Sequence, residues 1–596
     1  MDTFSLILTI ATAFGGLALF IYGMSLMGTG LEKASGSKLE MIIDKMTGNV
    51  FTGVLLGVLV TAVIQSSSAT TVIVVGLVNA GMMKLHSAIG VIMGANIGTT
   101  VTGQILRLAE LDTSGTSSKV YSLLSLDGLI PLICIAGLIC LMASKKSFGK
   151  DIAQILLGLG ILFTGMETMT GAVKPLAELP AFGQAFATLE NPILGVLVGA
   201  GVTAIIQSSS ASVGILQAMS TSGLISYSAA FPIIMGQNIG TTITSVLSAV
   251  GTSLNARRAA AVHVLFNFFG TMIWLIGIYL YQIIIGFPFW DKPIDMGGIA
   301  NFHTLFNVVS VLIFLPFTGL FEKLAVSIIR ERRSAKRLPT EENTVTLDNR
   351  LLVSPSLAIG QAMHTLLSMA NLAKYNFNSV RELIDNYSTE EAEVIRQNSA
   401  AIDRMEDGLN SYLVKITEQE LTEYENRRVT TLIYLTGEFD RIAAYGENML
   451  ENAEQLKAGE LHFSEKAKAD LEKILEATDE IISTAVSAFE KADTKAAFSV
   501  EPLEETIDYL HDTLKSRHIK RLKDGECSVD SGVIYLDLLI NLERIADHCS
   551  NIAVYVMGFA KGKEIINRHE YIEQLHLGDS EEYNKLIEQF NGKYEV

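Results

Sequence analysis

The sequence predicts an all-α fold in two parts, a polytopic membrane part with two inverted repeats and a soluble part with a pair of three-helix bundles. Three observations lead to this prediction. The pentapeptide Gln-Ser-Ser-Ser-Ala occurs twice within apolar sequence, at Gln65–Ala69 and Gln207–Ala211. Runs of roughly 20 apolar residues, long enough to cross a bilayer, recur throughout residues 1–329. From residue 351 onward, long amphipathic patterns typical of soluble helices replace them.

Charge divides the chain at the same place. Residues 1–329 contain 14 Lys/Arg and 14 Asp/Glu, which leaves 31 and 49 for the remainder and places the whole net charge of −18 there. An acidic soluble part argues against nucleic acid as a partner. The four cysteines form no CxxC pair, so neither a disulfide framework nor a zinc site is indicated. No nucleophile elbow, Walker loop or HExxH motif occurs, and the sequence therefore gives no support for an enzyme.

The membrane part is predicted to consist of two copies of one unit. Residues 53–102 and 195–244 are identical at 25 of 50 positions without a gap. We expect each unit to hold one helix, one element that Gln-Ser-Ser-Ser interrupts, and one further helix. The sequence leaves open whether the interrupted elements are broken helices or helical hairpins. The predicted transmembrane domain is 1–329, with repeat 1 at about 10–115, repeat 2 at about 152–257 and additional helices at 262–320.

Basic residues predict that the two repeats have opposite topology. Lys/Arg-rich segments favour the cytoplasmic side, which places Arg330–Arg337 there. Counting spans backward, every earlier basic cluster reaches that side only if the second repeat is inverted relative to the first. These clusters are Lys33, Lys38 and Lys45, then Lys145, Lys146 and Lys150, then Arg257 and Arg258.

The soluble part is expected to be cytoplasmic and to contain six helices. A charged linker at 330–350 leads into a helical domain at 351–562, and a polar tail at 563–596 is expected to be loosely held. The predicted helices are about 355–386, 388–417, 420–456, 463–490, 500–523 and 530–560.

The interrupted elements carry the candidate binding residues. A helix break presents amides to an anion at one end and carbonyls to a cation at the other, and hydroxyl and amide oxygens suit a small hard cation. The predicted spans contain no Lys or Arg except Arg107, so a bound anion needs helix termini or cations such as sodium for compensation. The alternative is that the hydroxyls only join helices by hydrogen bonds. The candidates are Gln65, Ser66, Ser67, Ser68, Gln207, Ser208, Ser209 and Ser210.

Two further polar motifs follow. Asn-Ile-Gly-Thr-Thr occurs in both repeats, where it either completes the coordination or only caps a helix break. Its candidate ligands are Asn96, Thr99, Thr100, Asn238, Thr241 and Thr242. His263 and His303 are each followed by Asn four residues later, which indicates either proton or anion contacts or a hydrogen-bonded packing pair.

Acidic residues in the soluble part suggest a second kind of site. Glu543 and Asp547 share a helix face. Asp440 corresponds to Glu543 in an internal echo, since each precedes the same tripeptide Arg-Ile-Ala. Such faces could hold a divalent or iron-group metal. The alternative is a solvated acidic face paired with Arg441 and Arg544.

These motifs identify two resemblances. The paired Gln-Ser-Ser-Ser-Ala and Asn-Ile-Gly-Thr-Thr motifs resemble those of the type II sodium–phosphate cotransporter family. The segment Glu543–Ile552 resembles PhoU, a regulator of bacterial phosphate uptake. The first resemblance implies symport of sodium and inorganic phosphate by alternating access across a bacterial inner membrane, with both Gln-Ser-Ser-Ser elements in contact with substrate and sodium. The second implies regulation, bound metal, phosphate-signalling partners and self-association. Phosphate export and a non-transporting phosphate sensor are the alternatives.

Overall fold

The computed structural model describes residues 2–35, 49–110, 126–144, 147–179, 183–184, 188–330, 347–560 and 581–596. Within these ranges the chain is helical and forms no strand, which confirms the all-α prediction. It divides into two compact units, Met1–Arg333 and Ser334–Val596. The basic residues Lys38, Lys45, Lys145, Lys146 and Arg332–Arg337, and most of the predicted linker, lie outside the described residues.

The first unit contains twelve described α-helices. Among the described residues, five helical segments are long and apolar enough to cross a membrane: Thr3–Ser35, Leu85–Leu106, Phe148–Ala177, Leu254–Ile284 and Met296–Ile328. The helices are α1 Thr3–Ser35, α2 Val50–Ile64, α3 Ser67–Asn79, α4 Leu85–Leu106, α5 Leu126–Ala143, α6 Ser147–Ala177, α7 Pro192–Ile206, α8 Ser209–Ser220, α9 Tyr227–Ser248, α10 Leu254–Ile284, α11 Met296–Phe314 and α12 Thr318–Ile328.

The helix bounds repeat with the same spacing as the sequence motifs. Helix α7 begins and ends at the repeat counterparts of the first and last residues of α2, and α9 has the same relationship to α4. In both copies the chain passes from an outer arm (α2 or α7) through a two-residue break to an inner arm (α3 or α8). The internal duplication of the sequence is therefore a duplication of structure.

Helices α1 and α6 show that the two repeats are inverted. A Cβ atom on Gly16 would lie 2.8 Å from the carbonyl oxygen of Gly165, and one on Gly23 would lie 2.7 Å from that of Gly158. Residue numbers rise along one helix as they fall along the other, so these two repeat-equivalent helices are antiparallel. Their backbones meet where only glycine fits. This contact confirms the predicted inverted repeat.

The interrupted elements are helical hairpins. The hydroxyls of Thr61 and Thr70 lie 3.0 Å apart, whereas nine residues of continuous helix would separate them by about 13.5 Å. The chain therefore turns back at Gln65 and Ser66. Gln207 and Ser208 have the same left-handed and extended conformations, so the second element makes the same turn.

Glycines hold each outer arm against the helix that follows its hairpin. A Cβ atom on Gly94 would lie 2.0 Å from the carbonyl oxygen of Val54, and one on its counterpart Gly236 would lie 2.1 Å from that of Val196. Any larger residue there would separate the backbones. This contact places the Asn-Ile-Gly-Thr-Thr motifs of α4 and α9 beside the hairpins.

The second unit is built from long helices around one apolar core. The six predicted helices are present with bounds that differ by at most a few residues, and a short 3-10 helix at Asn349–Val353 precedes them. The helices are α13 Pro355–Asp385, α14 Thr389–Thr417, α15 Glu423–Ala458, α16 Glu465–Lys491, α17 Thr494–Phe498, α18 Val500–Lys523, α19 Val529–Ala560 and α20 Glu581–Lys593.

The expectation of a loosely held C-terminal tail is wrong for residues 581–596. Helix α20 buries Tyr583 and Phe590 in the second unit, and Tyr594 is buried just after the helix ends. The three aromatic residues are seven and four positions apart, so a helix brings them to one face. The Lys593 ammonium also donates to Glu480 at 2.8 Å. The polar composition of the segment concealed this apolar face.

Candidate functional site

The tips of the two hairpins meet. The hydroxyl oxygens of Ser67 and Ser209 lie 3.4 Å apart, and both side chains are buried. Each serine is the first residue of an inner arm, α3 or α8. Since the two serines are also repeat counterparts, their contact marks the axis that relates the two halves of the unit.

An unusual backbone conformation forms each tip. Gln65 and Gln207 have φ of 58° and 59°, in the left-handed region, and each ends an outer arm. This conformation costs a non-glycine residue roughly 1–2 kcal/mol. Glycine would avoid that cost at both positions. We therefore expect the amide side chains of the two glutamines to have a role in the site.

Ser66 and Ser208 begin the inner arms. The Ser66 hydroxyl accepts a hydrogen bond from the Ala69 amide at 3.1 Å, and the Ser208 hydroxyl accepts one from Ala211 at 3.2 Å. These two predicted site residues therefore act as helix N-caps. They fix the position of the amides at the start of each inner arm.

Two helix N-termini thus converge at one uncharged place. The amides of the first turn of a helix have no partner within the helix, and they carry a partial positive charge. Helices α2, α3, α7 and α8 contain no charged residue at all. An anion at the hairpin tips would therefore meet amides and hydroxyls from both repeats.

The two halves of the site differ in their hydrogen bonds. The Thr102 hydroxyl donates to the Gln65 side-chain oxygen at 2.8 Å, and the Ser210 hydroxyl reaches Thr102 at 3.4 Å. The repeat counterpart of Thr102, Thr244, donates to its own helix at Thr241 instead. Gln65 is 5% exposed, whereas its counterpart Gln207 is exposed. The two glutamines therefore have unequal environments.

The candidates from Asn-Ile-Gly-Thr-Thr lie on α4 and α9 and are buried. Their threonine hydroxyls donate to carbonyls of their own helices at 2.7–3.0 Å, and Asn238 does the same. None of the six forms a hydrogen bond with the hairpin serines within the described ranges. A hydroxyl that donates its proton to a carbonyl still keeps its lone pairs, so these oxygens suit a cation. The six residues are Asn96, Thr99, Thr100, Asn238, Thr241 and Thr242.

The sequence reasoning missed Thr102 and Gln217. Thr102 joins both hairpins, and its counterpart Thr244 is also a threonine, so the duplicated block could have identified it. The Gln217 amide donates to the carbonyls of Gly103 at 3.2 Å and Met296 at 3.0 Å. Its counterpart is Val75, so no repeat signal marks it.

The two histidines are buried among helices. His263 is 2.8 Å from the Ser245 hydroxyl, and Asn267 and Asn307 each donate to the carbonyl of the histidine four residues earlier. The counterpart of Ser245 is Gly103. His263 therefore pairs with Ser245 of α9, whereas neither ring nitrogen of His303 has a hydrogen-bond partner among the described residues.

The acidic residues of the second unit form two groups. Glu543 and Asp547 lie with Asp508, where burial and these two carboxylates raise the Asp508 pKa to about 7. Asp440 lies near Asp403 instead. Burial and the Asp403 carboxylate raise the pKa of Asp440. Each group forms between neighbouring helices of its own repeat, and metal binding by Asp440, Glu543 and Asp547 stays a prediction.

The group around Asp508 fits a hard cation. Carboxylate oxygens of Glu501, Glu504 and Glu505 lie within 4.8 Å of one another. Burial and the neighbouring carboxylates of Glu501, Asp508 and Asp547 raise the pKa of Glu504. Carboxylates this close repel one another unless a proton or a metal ion lies between them. An acidic stripe along α18 was the sequence signal for this group.

The fold and the site define a multi-pass membrane protein of the secondary-transporter class, with inverted repeats whose polar hairpins meet at the centre. The chain belongs to the Na+/Pi-cotransporter family and also carries a PhoU domain. The first family model matches residues 19–171 and 181–290. The PhoU domain model matches residues 366–453 and 471–556.

The chain is also similar to individual proteins. The chain is similar to YjbB of Escherichia coli (strain K12), whose name refers to inorganic phosphate export, with 25% identity over 92% of this chain and 98% of the relative. It is also similar to the uncharacterized protein YqeW of Bacillus subtilis (strain 168), with 32% identity over 51% of this chain and 93% of the relative. A crystal structure of PhoU from Pseudomonas aeruginosa aligns with 34% of this chain and 97% of that chain at 21% identity, with a TM-score of 0.33.

Proposed function

We propose that the protein transports inorganic phosphate across a bacterial inner membrane and couples this movement to sodium ions by alternating access. The contact between Ser67 and Ser209 carries the proposal. It brings two helix N-termini from inverted repeats to one buried place that no charged side chain of the hairpins occupies.

The helix N-termini account for recognition of the anion. Phosphate oxygens accept hydrogen bonds from first-turn amides and from hydroxyls, and the helix dipoles favour negative charge there. Ser67, Ser68, Ser209 and Ser210 are the residues that supply both groups. Gln65 and Gln207, at the left-handed positions, add amide groups at the edge of the same place.

Sodium accounts for the missing positive charge. A phosphate ion in a site without Lys or Arg needs compensation, since burial of an unpaired charge is costly. Hydroxyl and carbonyl oxygens near the helix breaks suit a small hard cation. Binding of the two ions is therefore expected to be mutually favourable, which is the physical basis of coupling.

The unequal environments of the two glutamines account for alternating access. In this state Gln65 is held by Thr102, and Gln207 is exposed. An inverted repeat can exchange the roles of its halves. In the opposite state, Thr244 would hold Gln207, and Gln65 would be exposed.

The direction of transport follows from the gradients and not from the site. An inward sodium gradient would drive phosphate inward in a symporter. Export is the second candidate, since the name of YjbB refers to it. A non-transporting sensor is a third candidate, but it would have no need for intact polar motifs in both halves.

Uptake of radiolabelled phosphate into proteoliposomes tests the proposal. Accumulation that requires an inward sodium gradient would support the sodium symporter. Phosphate binding without movement would support the sensor, and phosphate efflux against its gradient would support export. Uptake that ignores sodium would overturn the proposed coupling.

The PhoU domain is proposed to be a cytoplasmic regulator that responds to phosphate-signalling proteins and binds a metal at its acidic groups. A truncation after Arg337 tests its role. If the domain regulates transport, the truncated protein should insert, and it should transport phosphate with an altered rate. A truncated chain that fails to insert would show that the domain is needed for the structure instead.

A further inference from the structure

A buried polar cluster in the second unit is separate from both acidic groups. It lies among α16, α18 and α19 and consists of Arg521, His518 and Tyr535. These three residues are 8%, 1% and 0% exposed, respectively. Groups of this kind are rarely buried unless they are paired.

Arg521 is only half satisfied. Its Nη1 donates to the Asp470 carboxylate at 2.6 Å. Its Nε and Nη2 are buried and have no hydrogen-bond partner in the part of the chain that the structure describes. These two nitrogens form one edge of the guanidinium group, and this edge is the fork that binds two oxygens of a carboxylate or phosphate.

His518 and Tyr535 add more polar groups without partners. Both ring nitrogens of His518 and the hydroxyl of Tyr535 are buried without a hydrogen bond to any described residue. The two rings stack with their centroids 4.3 Å apart, and the Arg521 guanidinium lies 5.8 Å from the Tyr535 centroid. A buried polar group without a partner is destabilising, so a ligand that pairs with all of them would be favoured.

The local charge also favours an anion. Arg517 donates to the same Asp470 carboxylate at 3.2 Å, so one negative group serves two positive ones. This excess of positive charge lies within a part of the chain that is acidic as a whole. The N-terminus of α19, at Val529, lies near the cluster as well, since a Cβ atom on Gly532 would be 3.1 Å from Nε2 of His518.

We propose that Arg521, His518 and Tyr535 bind a small tetrahedral oxyanion of the class of inorganic phosphate inside the second unit. The Arg521 fork binds two of its oxygens, and His518 and Tyr535 donate to the others. Because the three residues are at most 8% exposed, the cluster favours a free ion over a phosphate group that is attached to a nucleotide or a lipid. The PhoU domain would then bind directly the kind of ion that the membrane unit is proposed to carry.

The protonation of His518 is consistent with this assignment. Burial and the neighbouring Arg521 lower the pKa of His518. A neutral imidazole keeps one N–H donor. The positive charge that attracts the anion therefore comes from arginine, and binding should persist across neutral pH.

Hydrogen–deuterium exchange of the full-length protein tests the proposal. Amides in residues 517–535 are compared in phosphate and in chloride at equal ionic strength. At ten times the dissociation constant, binding should slow their exchange about elevenfold where global opening of the site controls it. Arg521→Lys keeps a charge for Asp470 but lacks the fork, so the protection should disappear. Tyr535→Phe keeps the packing of the ring but removes the hydroxyl, so the protection should become weaker.

Two controls keep the result specific. Arg517→Lys makes the same change at the exposed partner of Asp470 and should retain the protection. Ser67→Ala with Ser209→Ala disables the proposed transport site and should also retain it, so failure of the transport proposal is distinguishable. The proposal is overturned if phosphate gives no protection to the wild-type protein, if Arg521→Lys keeps it, or if the serine double variant loses it.

Discussion

Ser67 and Ser209 lie with their hydroxyl oxygens 3.4 Å apart, although 142 residues separate them in the chain. Each serine begins an inner arm, and each is the repeat counterpart of the other. Neither half of the membrane unit can therefore form this place without the other.

We expect Ser67→Ala and Ser209→Ala each to reduce phosphate uptake about 10- to 100-fold. A hydrogen bond to a charged group contributes about 1.5–3 kcal/mol, and both hydroxyls are at the meeting point. Uptake into proteoliposomes is the measurement. The matched control is Ser220→Ala, which removes a buried hydroxyl from the other end of α8 that bonds only within its own helix. Normal sodium-dependent uptake by both tip variants would contradict the site assignment.

Thr102→Val should shift the protein away from the state described here. The change removes the hydroxyl that holds Gln65 but preserves side-chain shape, and one hydrogen bond of about 1 kcal/mol corresponds to roughly a fivefold change in the ratio of two states. A Gln207→Cys reporter in a chain without its four native cysteines should then react more slowly with a membrane-impermeant thiol reagent.

Thr102→Ser keeps the hydroxyl and is the control for this shift. Its labelling rate at position 207 should remain close to that of the parent protein. Equal labelling of all three proteins would show that the bond between Thr102 and Gln65 does not hold one state closed.

The acidic group around Asp508 predicts that the PhoU domain becomes more stable as pH falls in the absence of divalent metal. The folded Asp508 pKa is about 7, above its ordinary value of 3.8. The contribution of Asp508 to the free energy of unfolding is therefore fully present below pH 3.8 and is lost as pH rises through about 7. Thermal unfolding in EDTA should occur at a higher temperature at about pH 6 than at about pH 8.

Asp508→Asn should raise the unfolding temperature at about pH 8 and weaken this pH dependence, because it removes one of the repelling carboxylates. Asp537→Asn, at a less buried position on α19, should change neither. Millimolar Mn2+ or Mg2+ should reproduce the stabilisation in the parent protein and lose its effect in Asp508→Asn. A metal response that survives this substitution would contradict the assignment of the cation to this group.

Phe590→Ala should destabilise the second unit by about 3 kcal/mol, because it removes a buried aromatic ring that joins α20 to the core. Chemical unfolding of the full-length protein measures this loss, with hydrogen exchange of the amides in α18 as the readout. Gln589→Ala alters the adjacent exposed position and should have little effect. An unchanged stability of Phe590→Ala would show that α20 is peripheral.

The sequence was informative where structure repeats. The constant offset between the two copies predicted the duplicated elements and the polar place between them, because duplicated backbones impose equivalent positions. It did not decide between broken helices and hairpins. That choice depends on the left-handed conformation of Gln65 followed by extended Ser66, and a glutamine is not a typical residue for such a turn.

Contacts between distant segments were not predictable from pattern alone. Thr102 lies 37 residues from Gln65 and is an ordinary threonine until the hairpin packs on α4. Repeat analogy makes Asp440 the counterpart of Glu543 but does not show which carboxylates pack against them, and in the structure each lies beside a carboxylate of its own repeat. The aromatic face of α20 was masked by its polar neighbours.

The antiparallel crossing of α1 and α6 has an evolutionary consequence. Two identical half-length chains, inserted in opposite directions, could form the same self-complementary contacts, with Gly16 against Gly23 of its partner in place of Gly158 and Gly165. In such an ancestor one substitution would change equivalent positions in both halves of the site at once. A fused gene lets the two halves diverge separately, and the presence of Gln217 where the first half has Val75 shows that they have done so.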